Sequence, residues 1–176
     1  MRIAVLLALL LALPASASDP VSLEANIADA ISRGDLDAAG VALIELKEMA
    51  CSGNPEAAAK IGRLYLFGNG LLGRDLEKAK SFLRFGAESG TSHAAADLAI
   101  AIATNAAGAE ELQEASKWAK VARYVDGEGS SDVVVQLVNL AAAGIDLTIG
   151  VQRGARWIQL YRTRGETVEG SPCQPG

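Results

Sequence analysis

The sequence predicts an all-α chain: an α-solenoid of about four helix-turn-helix repeats, or about eight antiparallel helices. Three observations lead there. First, features recur at nearly one period. Gly53 and Gly90, Ala57 and Ala94, and Ile61 and Leu98 are each 37 residues apart. Leu112, Ala115 and Trp118 follow Leu76, Ala79 and Phe82 by 36, and Trp157 follows Trp118 by 39. Such self-similarity marks a repeat architecture, in which no unit buries its apolar face alone and neighbours stack. Second, 50% of the residues are apolar but only 5% aromatic, so alanine, the best helix former, carries much of the packing. Third, no segment alternates apolar and polar residues with convincing strand chemistry. The β-branched run at residues 133–140 is the exception by propensity, and its place in the repeat favours a helix.

Residues 1–18 read as a targeting segment. Arg2 supplies the positive start, residues 3–13 the apolar stretch, and Ala15-Ser16-Ala17 an A-x-A cleavage pattern. The apolar stretch is shorter than the ~20 residues that span a bilayer. The expectation is an exported chain with no membrane span, a helical domain at 19–165 and a flexible tail at 166–176. Losing Arg2 takes the net charge from -5 to -6. Nucleic acid is therefore not an expected partner, because phosphate binding needs a basic surface.

Helix punctuation follows the repeat. Asn54-Pro55 reads as an N-cap followed by proline at the first helical position. Asp35, Asp75, Thr91 or Ser92, and Ser130 or Ser131 stand where further caps are wanted. Gly34, Gly53, Gly90, Gly127 and Gly144 fall just past apolar runs, where a left-handed residue closes a helix. Gly62, Gly86 and Ala99 are small enough for close helix approach. In the last helix Trp157, Ile158 and Tyr161 share one stripe, opposite Arg156. The loop holding Gly68, Gly70 and Gly73 is expected to supply positive φ for a turn. It lacks the G-x-x-x-x-G-K-[ST] pattern and the preceding strand of a phosphate cradle.

Little in the sequence points to chemistry. His93 is the only histidine and opens a predicted helix, where it is read as solvated. One histidine and two distant cysteines do not make a metal site, and no acid, base and nucleophile set is visible. The reading is non-enzymatic, without cofactor or metal. Cys51 and Cys173 are an even pair in a chain read as exported, which suggests one disulfide. The alternative is a buried thiol at Cys51 and an exposed or intermolecular one at Cys173.

Residues 53–90 resemble the Sel-like repeat family, an α-solenoid relative of the tetratricopeptide repeats. The resemblance rests on Ile61-Gly62, Leu64-Tyr65, Gly68-x-Gly70, Asp75, Lys78-Ala79, Phe82, Ala87 and Gly90. Weaker traces extend over residues 35–165, and the third copy lacks the glycine-rich loop. The resemblance implies an adaptor or regulator of the bacterial envelope, located in the periplasm or, as second choice, secreted. Its partner would be another envelope protein or a peptide segment. Some cysteine-rich relatives imply an alternative, a hydrolase or glycan-binding protein. They carry a cysteine pair in each repeat, whereas this chain has two cysteines in all.

A solenoid presents a concave face lined by the first helix of each pair. Lys60, Arg63, Phe67 and Asp97, with Gln136 and Asn139, are the positions expected there and not needed for the core. Phe67 is the best single anchor, since aromatics dominate interface hot spots; packing on the next repeat is its alternative role. Residues 147–165 hold Arg153, Arg156, Arg162 and Arg164 and no acid. Arg153, Arg156 and Arg164 are expected on one side of the last helix. They read either as a helix C-terminus and polar end cap or as a positive patch for an anionic partner.

Overall fold

The computed structural model describes residues 18–91, 93–127, 130–164 and 170–173, without the side chains of residues 130, 131, 133 and 164. The expected targeting segment, up to residue 17, and most of the expected tail lie outside the described residues. Eight helices follow in order: α1 (Pro20–Ser32), α2 (Leu36–Cys51), α3 (Pro55–Phe67), α4 (Leu76–Glu88), α5 (Ala94–Thr104), α6 (Ala109–Val125), α7 (Ser130–Ala142) and α8 (Thr148–Arg164). No strand occurs among the described residues, and the β-branched run at 133–140 is helical. No helix among them is long and apolar enough to cross a membrane.

Local chemistry sets the boundaries. The Asn54 carboxamide accepts from the Ala57 N–H at 3.0 Å, and Asp35 and Asp75 accept likewise from Ala38 and Lys78. Each side chain satisfies a first-turn donor that has no partner within its own helix. The five glycines expected past helix ends all take positive φ. The start of α5 differs from expectation. Its N-cap is His93, at φ 64° and with no side-chain cap, rather than Thr91; position 92 lies outside the described residues. A non-glycine residue rarely adopts this left-handed backbone.

In the loop between α3 and α4, Gly68 and Gly70 take φ of 75° and 86°, but Gly73 does not need a positive φ. The Asn69 side chain accepts from the N–H groups of Leu71 and Leu72, and the Asp75 N–H donates to the Tyr65 carbonyl. The loop's polar groups thus close a turn.

Helices adjacent in sequence pack together from α1 through α7, and α1 on α3, α3 on α5 and α5 on α7 add a second set of contacts. The last pair departs from this order. Both α7 and α8 pack on α6, and not to any comparable extent on each other. The core runs through the stack as Ile27, Leu46, Ile61, Leu83, Leu98 and Trp118, all essentially solvent-free. Glycines set the closest approaches. A Cβ on Gly62 would stand 2.6 Å from Leu83 Cγ. On α8, a Cβ on Gly154 would stand 2.7 Å from the Lys117 carbonyl of α6, and one on Gly150 would strike the Gln113 carbonyl.

Trp118 anchors the C-terminal end. Trp157 meets it edge-on, with centroids 5.9 Å apart, and Tyr161 stacks on Trp157 at 4.9 Å. Tyr161 also lies against Gly90, in the turn between α4 and α5. Cys51, the last residue of α2, is joined to Cys173, with Cα atoms 5.2 Å apart. The segment around Cys173 is held further where the Ser81 hydroxyl of α4 donates to the Pro172 carbonyl at 3.4 Å.

Candidate functional site

Residues 56, 60, 63 and 67 are spaced by four, three and four, so Glu56, Lys60, Arg63 and Phe67 form one stripe along α3. Because α3 packs between α1 and α5, that stripe faces side chains from both neighbours. Lys60 Nζ lies 2.8 Å from Glu24 Oε2 of α1 and 3.6 Å from Glu56 Oε1. Arg63 lies 3.9 Å from Asp97 Oδ2 of α5, and its guanidinium carbon is 5.9 Å from the centre of the Phe67 ring. Lys60 is thus half-covered and ion-paired. Phe67, 59% exposed at the C-terminal end of α3, stands clear.

One turn before Asp97, His93 continues the ladder toward the end of α6. Its backbone N–H donates to Asp126 Oδ1 at 2.8 Å, and its Nδ1 lies 3.4 Å from Asp126 Oδ2. The carboxylate of Asp126 is almost fully buried. That bond meets the exposed donor of a residue held at positive φ, so Asp126 supports the bend that starts α5. Asp97 is itself buried. Burial pushes its carboxyl above the usual aspartate range; Arg63 and His93 oppose the shift, while Asp126 and Glu24 add to it.

The crevice framed by Glu56, Lys60, Arg63, His93 and Asp97 offers only about 10 Å³ to the centre of a water-sized body. That is room for about one water, against the roughly 300–1,000 Å³ of a small-molecule site. Both cysteines are in the disulfide, so no thiol stands by His93. Among the described residues, no three histidine, cysteine or acidic side chains are grouped as a metal would require. The ladder is a surface of paired charges beside an exposed ring.

A larger trough of about 480 Å³ opens on the other side, between α4 and α6 and beside Pro172. Glu77, Glu88, Glu111 and Glu114 line it with Lys80 and Arg84. Arg84 spans it to Glu114 at 2.5 Å. Burial works against ionisation of Glu114, but the hydrogen bond and charge of Arg84 outweigh it and hold the carboxyl below its usual range.

The structure therefore brings Lys60, Arg63, Phe67 and Asp97 together. Gln136 and Asn139 are exposed on α7. Arg153 and Arg156 are exposed on α8, a helix packed chiefly on α6 and separate from the ladder. The side chain of Arg164 lies outside the described residues. Sequence reading missed Glu24, Asp126 and the pairing of His93. Asp126 reaches His93 across 33 positions, and nothing local signals that bond. The chain matches no protein-family model, no curated protein and no solved structure.

Proposed function

We propose that this chain is an exported, non-enzymatic interaction module: a short Sel-like-repeat α-solenoid that binds another envelope protein or a peptide segment. The observation that carries the reading is the Phe67–Arg63 pair. Phe67 is a large ring left 59% exposed in a chain only 5% aromatic, and Arg63 lies beside it, tied at its other side to Asp97. An exposed aromatic with a pre-positioned arginine has the composition of an interface anchor, because both residue types are enriched at binding hot spots. The ladder of Glu24, Lys60, Arg63 and Asp97 keeps the long cations from wandering, which lowers the entropy lost when a partner docks.

The remaining parts of the reading have separate support. The pairing of Cys51 with Cys173 suits an oxidising compartment, hence export and the periplasm. The stacking of α1, α3, α5 and α7 in series, with the 37-residue period, supports the solenoid and the repeat family. The test is site-specific photocrosslinking in cells of the source organism, with the crosslinker at position 67 or at exposed position 110 of α6 as control. One protein joined from position 67 and not from 110, and lost in Arg63→Ala, is the expected result. Equal labelling from both positions would remove the ladder as a binding face.

A further inference from the structure

Each described helix pair buries a face on the next, so the two ends of the series should be polar; terminal units of stacked repeats need a polar outer face for solubility. Neither end is. At the first, Asp37, Val41, Ile44 and Glu48 run at i, i+4, i+7 and i+11 on the side of α2 opposite its buried residues. Val41 is 68% exposed and Ile44 60%. A groove of about 440 Å³ lies between α1 and α2, where Leu23, Ala30 and Val41 alternate with Asn26, Asp29 and Glu45. At the last end, the failure of α7 and α8 to pack on each other leaves an opening over α6. Val135, Val138 and Val151 line a cavity of about 210 Å³ there. On α8, Val151 reaches that cavity, while Ala155, Ile158 and Arg162 line a separate hollow of about 370 Å³.

The ends carry opposite charge. Residues 19–48 hold seven acids against Arg33 and Lys47; Asp29 is paired with Arg33 and Glu24 with Lys60 of the ladder, which leaves five acids against Lys47. Residues 130–164 hold four arginines, all on α8, against Asp132 and Asp146, and Arg156 and Arg162 are exposed. An apolar, acidic end and an apolar, basic end are complementary to each other and not to themselves. We propose that copies of this chain stack head to tail, the α1–α2 face of one seating on the α7–α8 face of the next. The contact is heterologous: every copy keeps one free face of each kind, so assembly continues into open chains rather than closing as a twofold dimer. It uses the two ends and leaves Phe67 and the ladder free.

Sedimentation velocity tests this on the purified protein, from about 5 to 500 μM at about 20 mM and 500 mM salt. The expected result is a mean mass that rises with concentration and falls with salt, as charge-steered contacts do. Two variants then separate the ends, Val41→Arg with Glu45→Arg at the first and Arg156→Glu with Arg162→Glu at the last. All four positions are on the surface or half-buried, and equal helicity by circular dichroism checks that each variant folds. Each alone is expected to stay monomeric, while an equimolar mixture forms a species of two copies and nothing larger, since each variant retains one intact face. A wild-type protein that stays monomeric throughout would overturn the proposal. So would self-association of either variant, or a mixture that stays monomeric; these outcomes would reserve the end faces for a different protein.

Discussion

Cys51 and Cys173 meet across 122 residues, so one bond ties the end of the second helix to a segment that follows the eighth. A crosslink that closes so long a loop removes much of the freedom of the unfolded chain. Replacing both cysteines by alanine is expected to cost about 2–5 kcal/mol. Thermal unfolding followed by circular dichroism, with and without reductant, reads this directly. Reductant should lower the melting temperature of the wild type and leave the double variant unmoved. An unchanged wild-type melt would mean that the bond constrains only a local segment.

Gly150 and Gly154 let the backbone of α8 lie directly on α6. The Gly150 N–H even donates to the Gln113 side chain at 2.5 Å. A methyl at either site meets main-chain carbonyls, which cannot move aside as a flexible side chain could. Gly150→Ala and Gly154→Ala should each cost about 1–3 kcal/mol through overpacking, even though alanine is the better helix former. Hydrogen exchange should show α8 losing protection before α3 and α4. Stabilisation by either substitution would sink this account of how α8 is seated.

Asp97 makes a pH-dependent prediction. The unfolded chain ionises it near 3.8, and the folded chain only at higher pH, chiefly because the carboxyl is buried. Between those two values the folded state holds more protons than the unfolded state, so this group's contribution to stability falls as pH rises, then stays constant above the folded value. Asp97→Asn should therefore be more stable than wild type at pH 7, with the gain shrinking to nothing below pH 3.8. Paired urea titrations at pH 3.5 and 7 measure it. A loss of stability at pH 7 would mean that the Arg63 contact outweighs burial.

Glu114 should behave in the opposite sense. Its carboxyl is held below the ordinary 4.5, so its contribution is present above that value and is lost as the pH falls through the depressed one. Glu114→Gln is expected to destabilise by about 1 kcal/mol or less at pH 7, in view of its partial exposure. The cost should disappear in acid. The same denaturant titrations would reveal a pH-independent cost, which would instead assign Glu114 a packing role.

Phe67 separates binding from folding. Its ring is mostly outside the core, so Phe67→Ala should change stability by less than about 0.5 kcal/mol. As an anchor it should still weaken binding by more than about 1 kcal/mol, a several-fold loss of affinity for the proposed partner. Melting temperature and affinity measured on one preparation decide the matter. A drop in both would place Phe67 in packing.

Much of the fold was legible because its signals are local. Asn54, Asp35 and Asp75 cap helices with oxygens that reach donors three residues on, and the glycines past the helix ends need only their own backbone freedom. The stripe Lys60, Arg63, Phe67 was equally legible, since helical spacing alone aligns it. The start of α5 was misread because Asp126, 33 residues away, takes the His93 N–H that a local cap would have left aside. Lys60 was read as open surface because Glu24, its partner on α1, is not near it in sequence.

The sequence by itself determined that the chain is helical, with about eight helices, where capping residues and glycines set several of their ends, and which stripe of the last helix is apolar. Capping, propensity and the 3.6-residue period act over a few residues, and each can be read within a single segment. Only the tertiary structure decided that Cys51 finds Cys173, that Asp97 is buried between Arg63 and His93, and that α8 docks on α6 apart from α7. Those outcomes depend on which faces meet and how closely glycines let them approach. That is settled by the packing of distant segments against one another, where shape and burial are properties of the pair and not of either helix.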